Sequence, residues 1–451
     1  MLRFVDLFSG CGGLSLGLAW SGAQGLFAIE RDPMAFQTFK ANFIDEPRGP
    51  VLPFVWPEWL KRQAWGIDDL LGAHGKDLAA LRDAELDLVA GGPPCQGFSF
   101  AGRRDSQDPR NQLFSKYLEV VRLIRPTAVL LENVPGMAVA HSSVMTGEKR
   151  IRGNTKGSFY EILAEELGEM GYDVDGQILD ASEFGVPQKR SRLIVVGLLR
   201  ERLDVLPSSR VAPLVFERLK SSRQAFLDRI GLQCPVSAQE AIGDLSIVGK
   251  NGRLWDPEEC VEPDSPKDYC QLTYDGRRSR SPYQQLMRAH ASGRPMDSMR
   301  LARHSSEVSG RFRQIIQTCR QGVRMNDGDR AWFKLRKHRI HPMSASEPAP
   351  TITTLPDDVL HYSDPRILTV RETARLQSFP DWFVFKGKYT TGGEKRTREC
   401  PRYTQVGNAV PPLFAFAIAK ALAYVLTRHR IAATPISATL ENPRHVAEVA
   451  W

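Results

Sequence analysis

Over the first 198 residues, short apolar runs alternate with stretches of helical period, and no other feature constrains the fold as tightly. Strand candidates are 3–8, 25–30, 86–90, 128–132, 172–179 and 193–198; helical stretches are 14–20, 33–42 (opened by Pro33), 112–124 and 158–170. Strand–helix alternation of this kind predicts an α/β fold with a doubly wound, mostly parallel sheet. Ligands bind such sheets at the carboxyl ends of the strands, so the loops that follow the strands are where chemistry is to be sought.

The first such loop is Phe8-Ser9-Gly10-Cys11-Gly12-Gly13, between a strand and a helix. Its glycines permit a sharp turn and close approach of a ligand to the backbone. It is not the dinucleotide fingerprint, because Ser15 stands where a third glycine belongs. Glu30 lies 20 residues after Gly10, at the end of the next strand, where an acid binds ribose hydroxyls. Together they point to an adenosyl ligand, either a nicotinamide cofactor or a methyl donor.

The second loop is Gly91-Gly92-Pro93-Pro94-Cys95-Gln96-Gly97-Phe98-Ser99, after the strand 86–90. A cysteine is more often an inert buried hydrophobe than a nucleophile. Two prolines and three glycines around Cys95 are hard to explain by packing, and they favour a functional thiol. The third is Leu131-Glu132-Asn133-Val134. A carboxylic acid at the mouth of a sheet serves proton transfer if its pKa is raised, and a strand-end surface Glu is the plainer alternative. The fourth is Gln188-Lys189-Arg190-Ser191-Arg192 before the strand 193–198. Alternation puts Arg190 and Arg192 on one face if that strand starts early; the pair would hold an anion or steer the acid, or simply be solvated.

Residues 199–350 lack clear periods and carry turn signals at Asp275-Gly276, Ser281-Pro282 and Asn326-Asp327-Gly328, as expected of a second domain of short elements. The chain of 451 residues has a net charge of +8, yet residues 277–339 alone hold 16 Lys+Arg against 4 Asp+Glu, a surplus of 12. A basic patch on a near-neutral body suits phosphate binding, with a merely solvated surface as the alternative. The seven cysteines include no CxxC pair, which argues against a zinc ribbon and for a reducing compartment. Neither a signal peptide nor a run of about 18 apolar residues is present, so a cytoplasmic location without membrane association is expected. The stretch 412–426 reads as a packed helix, and the tail from Arg428 as mobile.

In motifs and in their order, the chain resembles the cytosine-5 DNA methyltransferase family. Phe8-Ser9-Gly10-Cys11-Gly12-Gly13 matches the cofactor loop, Pro94-Cys95-Gln96 the nucleophile loop, Glu132-Asn133-Val134 the acid motif and Gln188-Lys189-Arg190-Ser191-Arg192 the arginine motif. Arg371-Glu372-Thr373-Ala374-Arg375-Leu376-Gln377-Ser378-Phe379-Pro380 and Gln405-Val406-Gly407-Asn408-Ala409-Val410-Pro411 are similar to the last two motifs. The similarity spans residues 3–420 apart from 199–350, where members of the family diverge.

The resemblance implies methyl transfer from S-adenosylmethionine to carbon 5 of a cytosine flipped out of duplex DNA. Cys95 would be the nucleophile at carbon 6, Glu132 the acid at ring nitrogen 3, and Arg192, with Arg190, would hold the base and the acid. For the cofactor it implies Phe8, Gly10, Cys11, Gly13, Glu30, Pro94, Leu113, Asn408 and Val410. The family often carries an Asp-Ile pair against adenine; Gly66-Ile67 stands here, with Asp68 and Asp69 adjacent, so Ile67 and Asp68 are the contacts expected. Gln96, Ser99, Arg103 and Arg104 would close on DNA.

The organisation expected is a catalytic domain over 1–198, a target recognition domain over 199–350, a return segment over 351–400, a helix over 401–427 that completes the catalytic domain, and a tail over 428–451. Metal is not expected. A monomeric prokaryotic modification enzyme, genetically paired with a restriction endonuclease, fits this organisation. Two alternatives share the motifs: the same chemistry on tRNA, and a non-catalytic DNA-binding relative.

Overall fold

The computed structural model describes residues 1–46, 49–84, 86–94, 109–138, 158–247, 257–260, 269–272, 274, 280–291, 296–335, 340–391, 395 and 398–431. Its main sheet has six strands: β1 (Arg3–Leu7), β2 (Gln24–Ile29), β3 (Leu88–Gly91), β4 (Ala128–Asn133), β5 (Tyr172–Asp180) and β6 (Ser191–Leu199). They lie in the order β2-β1-β3-β4-β6-β5. The pairs β1/β2, β1/β3 and β3/β4 are parallel, while β6 runs antiparallel to both β4 and β5. Every predicted strand of the first 198 residues is present, and the sheet is mostly parallel with β6 alone reversed.

Buried strands need cover on both faces. Between them the chain forms α1 (Gly13–Trp20), α2 (Pro33–Phe43), α3 (Ile67–Ala80), α4 (Pro109–Ile124) and α5 (Phe159–Glu169). α2 starts where Asp32 accepts hydrogen bonds from the backbone of Met34 and Ala35, and α5 where Ser158 and Glu161 form a reciprocal cap. α3 was not expected from sequence: Gly72 and Gly75 lower its helix propensity, although Ile67, Leu70 and Leu78 mark its buried stripe.

The second half adds α6 (Ala212–Ser221), α7 (Arg223–Arg229), α8 (Ala238–Ile242), β7 (Pro257–Cys260), β8 (Tyr269–Leu272), α9 (Pro282–Arg288), α10 (Ser306–Thr318), α11 (Asp327–Trp332), β9 (His341–Pro342), β10 (Val359–Leu360), α12 (Val370–Leu376), α13 (Arg402–Asn408) and α14 (Pro412–His429). α14 packs between α1 and α6. Gly17 allows the close approach to α1, since a Cβ there would fall 2.4 Å from the Cβ of Ala415. The stretch Arg402–His429 is long and apolar enough to cross a membrane, but it is mostly buried in this core.

The divisions expected at 199 and 350 do not coincide with breaks in packing. α6 buries Ala212, Val215, Phe216 and Leu219, spaced at helical period, against β5, β6 and α14. Across 350, Val359 pairs with His341, and across 199, Lys189 donates its backbone N–H to the carbonyl of Ala349 at 2.9 Å. A separate small core of Phe312, Ile315, Met325, Ile340, Leu360 and Ile367 underlies α10 and α11. The tail expected to be mobile from Arg428 is tied down as far as Ile431. Leu203 bridges Arg430, Arg430 pairs with Asp87, and the Asp204 N–H meets the His429 carbonyl at 2.7 Å.

Candidate active site

Strand register brings the motif loops together. Leu7 pairs with both Ile29 and Gly91, and Gly91 pairs with Leu131, so β1, β2, β3 and β4 end at one level. The segments that follow them surround a cavity of about 590 Å³. Of the residues expected at the cofactor and the base, Phe8, Gly10, Glu30, Ile67, Asp68, Pro94, Leu113, Glu132, Arg190, Arg192, Asn408 and Val410 line it. Cys95, Gln96, Ser99, Arg103 and Arg104 lie outside the described residues.

The cofactor loop is shaped by its own backbone and by Glu30. Gly12, at φ 96, turns the chain into α1, and Phe8 is held at φ 60, a left-handed conformation costing a non-glycine residue about 1–3 kcal/mol. Glu30 accepts hydrogen bonds from the backbone N–H of Gly10 at 3.0 Å and of Asp32 at 2.7 Å. Burial raises its pKa above the ordinary carboxylate value. A Cβ at Gly10 would meet nothing within 4 Å, so the turn faces open space. Cys11 and Gly13, expected among the cofactor contacts, pack behind the wall instead. The Cys11 thiol donates to the Gln405 carbonyl at 3.6 Å, and burial pushes its pKa up to about 12. A Cβ on Gly13 would fall 2.3 Å from the carbonyl oxygen of Val410.

Two acids of the cavity escaped assignment from sequence. Asp6 sits inside β1, fully buried, and accepts from the Ser15 hydroxyl at 2.6 Å. Its other oxygen is buried without a hydrogen bond among the described residues, and burial pushes the carboxyl pKa up to about 7. The signal was present: an acid in an otherwise apolar buried strand seldom goes without a partner. The second is Asp69. Gly66 caps α3, and a Cβ on Gly66 would fall 2.8 Å from Oδ2 of Asp69. The Asp69 carboxylate therefore occupies the place where a side chain at 66 would begin. Gly66, Ile67, Asp68 and Asp69 all line the cavity.

On the opposite wall, Asn133 fastens the proline loop. Its Nδ2 donates to the Pro93 carbonyl at 2.9 Å, and its Oδ1 accepts from the Val134 backbone at 2.8 Å. Gly92 lies so close to Glu132 that a Cβ would sit 3.4 Å from Oε2. Nε of Arg192 lies 2.9 Å from Oε1 of Glu132, both side chains being largely buried. The N–H does not point along that line, and Oε1 lacks a well-aligned hydrogen bond among the described residues. A carboxyl group beside a cation and open to a cavity is placed to give or share a proton with a bound base.

Arg190 departs from expectation. It is buried, and its guanidinium donates to the carbonyls of Ile352 at 3.1 Å, Gly407 at 3.0 Å and Ala409 at 3.1 Å. It thereby latches the 407–410 turn rather than the acid, because β6 begins at Ser191 and leaves Arg190 before the strand. Gln188 extends the latch: it accepts from the Ile352 N–H at 2.8 Å and donates to Oε1 of Gln377 at 3.0 Å. Gln377 in turn donates to the Val406 carbonyl at 2.8 Å. These side chains draw the late motifs onto the sheet edge and set Asn408 and Val410 in the cavity wall.

The sequence matches the family model described as C-5 cytosine-specific DNA methylase over residues 2–423. The type II methyltransferase M.DdeI of Desulfomicrobium norvegicum is 30% identical over 426 residues, covering 94% of this chain and 89% of that protein. The type II methyltransferase M1.HphI of Haemophilus parahaemolyticus is 30% identical over 425 residues, with 93% and 86% covered. Among solved structures, a prophage-encoded protein of E. coli described as a DNA modification methyltransferase aligns with a TM-score of 0.61 at 24% identity. It covers 95% of this chain and 100% of that one.

Proposed function

The chain belongs to the C-5 cytosine-specific DNA methylase family and is a DNA (cytosine-5-)-methyltransferase, and from that premise we propose how its residues carry the reaction and what they hold. Cys95 adds as a thiolate to carbon 6 of a cytosine extruded from the duplex, while Glu132 donates a proton or hydrogen bond to ring nitrogen 3. Electron density then gathers at carbon 5, which would otherwise be a poor nucleophile. After methylation, loss of the carbon-5 proton re-forms the ring double bond and expels Cys95. Arg192 holds the Glu132 carboxyl in place, and Arg190 holds the turn that carries Asn408. The observation that carries this reading is the convergence of Glu132, Arg192 and the Pro93-Pro94 loop on one cavity.

S-adenosylmethionine, when bound, supplies the electrophilic methyl group. The cavity suits it. Its volume lies in the usual range for small-molecule sites, and Phe8, Leu14, Ile29, Trp65 and Val410 provide an apolar wall. Of the acids in its wall, Glu30 would hold the ribose hydroxyls, Asp6, with one oxygen lacking a hydrogen bond among the described residues, would suit the cationic end, and Asp69 would take the place of the family's adenine-contacting acid. The small core under α10 and α11, with the basic stretch 277–339, serves as the target recognition domain. The names of the relatives support type II restriction-modification as the setting and DNA rather than tRNA as substrate.

The test is methylome sequencing of DNA from cells expressing the chain beside its Cys95→Ala variant, with trapping on a duplex containing 5-fluorocytosine. Methylation at one short motif, lost in the variant, and a covalent complex formed only by the native protein are the expected results. Methylation that persists in the variant would overturn the assignment of Cys95.

A further inference from the structure

A row of aromatic rings runs from the sheet to the catalytic cavity. It starts at Phe27, fully buried on β2. The ring of Trp59 meets Phe27 edge to face, with 5.6 Å between centres and 73° between planes. His74 lies 5.1 Å from Trp59, and Trp65 lies 5.3 Å from His74 at 78°. Trp65 lines the cavity, together with Gly66, Ile67 and Asp69. An aromatic cluster over a strand is ordinarily core packing; here the last ring reaches a cavity, which packing does not require. Two local features hold His74 in the row. α3 breaks at this residue, with φ −128 and ψ 20, and Nδ1 lies 2.9 Å from Oδ2 of Asp77.

Trp65 is fixed at three points. Its backbone N–H donates to the Glu30 carbonyl at 2.9 Å, its indole N–H donates to the Lys61 carbonyl at 2.9 Å, and its ring rests on His74. The first bond ties it to the residue assigned to the ribose. The residues that follow it, Gly66 to Asp69, include those assigned to adenine. A flat apolar ring whose polar tip is already bonded is suited to cover a purine, which presents a π-face. We propose that Trp65 packs on the adenosine part of S-adenosylmethionine and that His74 is the positioning residue that holds it there, backed through Trp59 by Phe27. The inference rests on the cofactor reading of the cavity given above. Glu30 directly follows β2, so one strand carries both the acid and, through Phe27, the support of the ring.

The experiment titrates the full chain, without DNA, with S-adenosylhomocysteine, which has no methyl group to transfer. Tryptophan fluorescence and heat of binding are followed together. The chain has 8 tryptophans, so Trp65→Phe isolates the share of the signal that belongs to residue 65. Native emission should change on binding. Trp65→Phe should lose most of that change and keep most of the affinity, because a ring remains. His74→Ala should weaken binding about tenfold, the worth of one aromatic contact, and shrink the emission change. His74→Phe, which refills the space between Trp59 and Trp65, should restore both. In turnover, His74→Ala should raise the KM for S-adenosylmethionine and leave that for duplex DNA, a split that general loosening of the fold does not produce. An emission change in Trp65→Phe equal to the native one would overturn the proposal. So would native affinity in His74→Ala, or equal weakening by His74→Ala and His74→Phe in proteins that melt like the native one. No heat of binding in the native protein would instead overturn the cofactor reading of the cavity, and this inference with it.

Discussion

Nε of Arg192 stands 2.9 Å from Oε1 of Glu132 because β6 runs antiparallel to β4 with Ile194 opposite Glu132. Arg192, two residues from Ile194, is then the diagonal neighbour of Glu132 on the same face. We expect Arg192→Ala to slow single-turnover methylation by about 100-fold, in the range seen when one charge-stabilising group is removed. Cofactor affinity should change far less. Combined with Glu132→Gln, the loss should fall short of additive, since the two act as a unit. Full additivity in rapid-quench assays would show that they act separately.

Arg190 and Arg192 should fail in different ways. Arg190→Lys cannot reproduce three carbonyl contacts and leaves buried acceptors unpaired, at about 1–3 kcal/mol for each such group. A fall in melting temperature of several degrees is expected for Arg190→Lys and little change for Arg192→Lys. Equal melting curves for the two variants would contradict the latch.

The carboxylate of Asp69, folded back over Gly66, should contribute to cofactor binding. Asp69→Asn is expected to raise the dissociation constant of S-adenosylmethionine about tenfold, the worth of one charge-assisted hydrogen bond, with kcat nearly unchanged. Calorimetric titration reads this directly. The partner change Gly66→Asp should not rescue it unless Asp69 is also shortened, because the two side chains compete for one place.

Asp6 makes folding depend on pH. Its folded pKa is raised to about 7 against an ordinary value of 3.8, so the protonated form is favoured on folding. That contribution is complete below about pH 4 and is lost progressively as pH rises to 7, amounting to about 4 kcal/mol. Without cofactor, native protein and Asp6→Asn should melt alike at low pH, and the variant should become the more stable by pH 8. A melting-temperature difference that does not vary with pH would remove Asp6 from this account.

Much of this protein is set by local signals. Apolar alternation, helical period, Pro33 and the glycine-rich turns marked every strand of the large sheet and placed the motif loops after those strands, because such patterns act over a few residues. The convergence of Phe8, Glu30 and Glu132 followed from that, since parallel strands in register end at one level. The reversal of β6, which brings Arg192 rather than Arg190 to Glu132, was decided by pairing between strands distant in sequence. The same holds for Arg190 reaching Gly407 and Ala409, and for α6 joining the sheet that the sequence appeared to leave at 199. Asp6 and Asp69 were visible as letters, but their roles depended on burial and on the space above Gly66. The sequence determined which groups stand at the mouth of the sheet; only tertiary packing decided which of them meet, because desolvation and hydrogen-bond geometry arise between segments that sequence order does not relate.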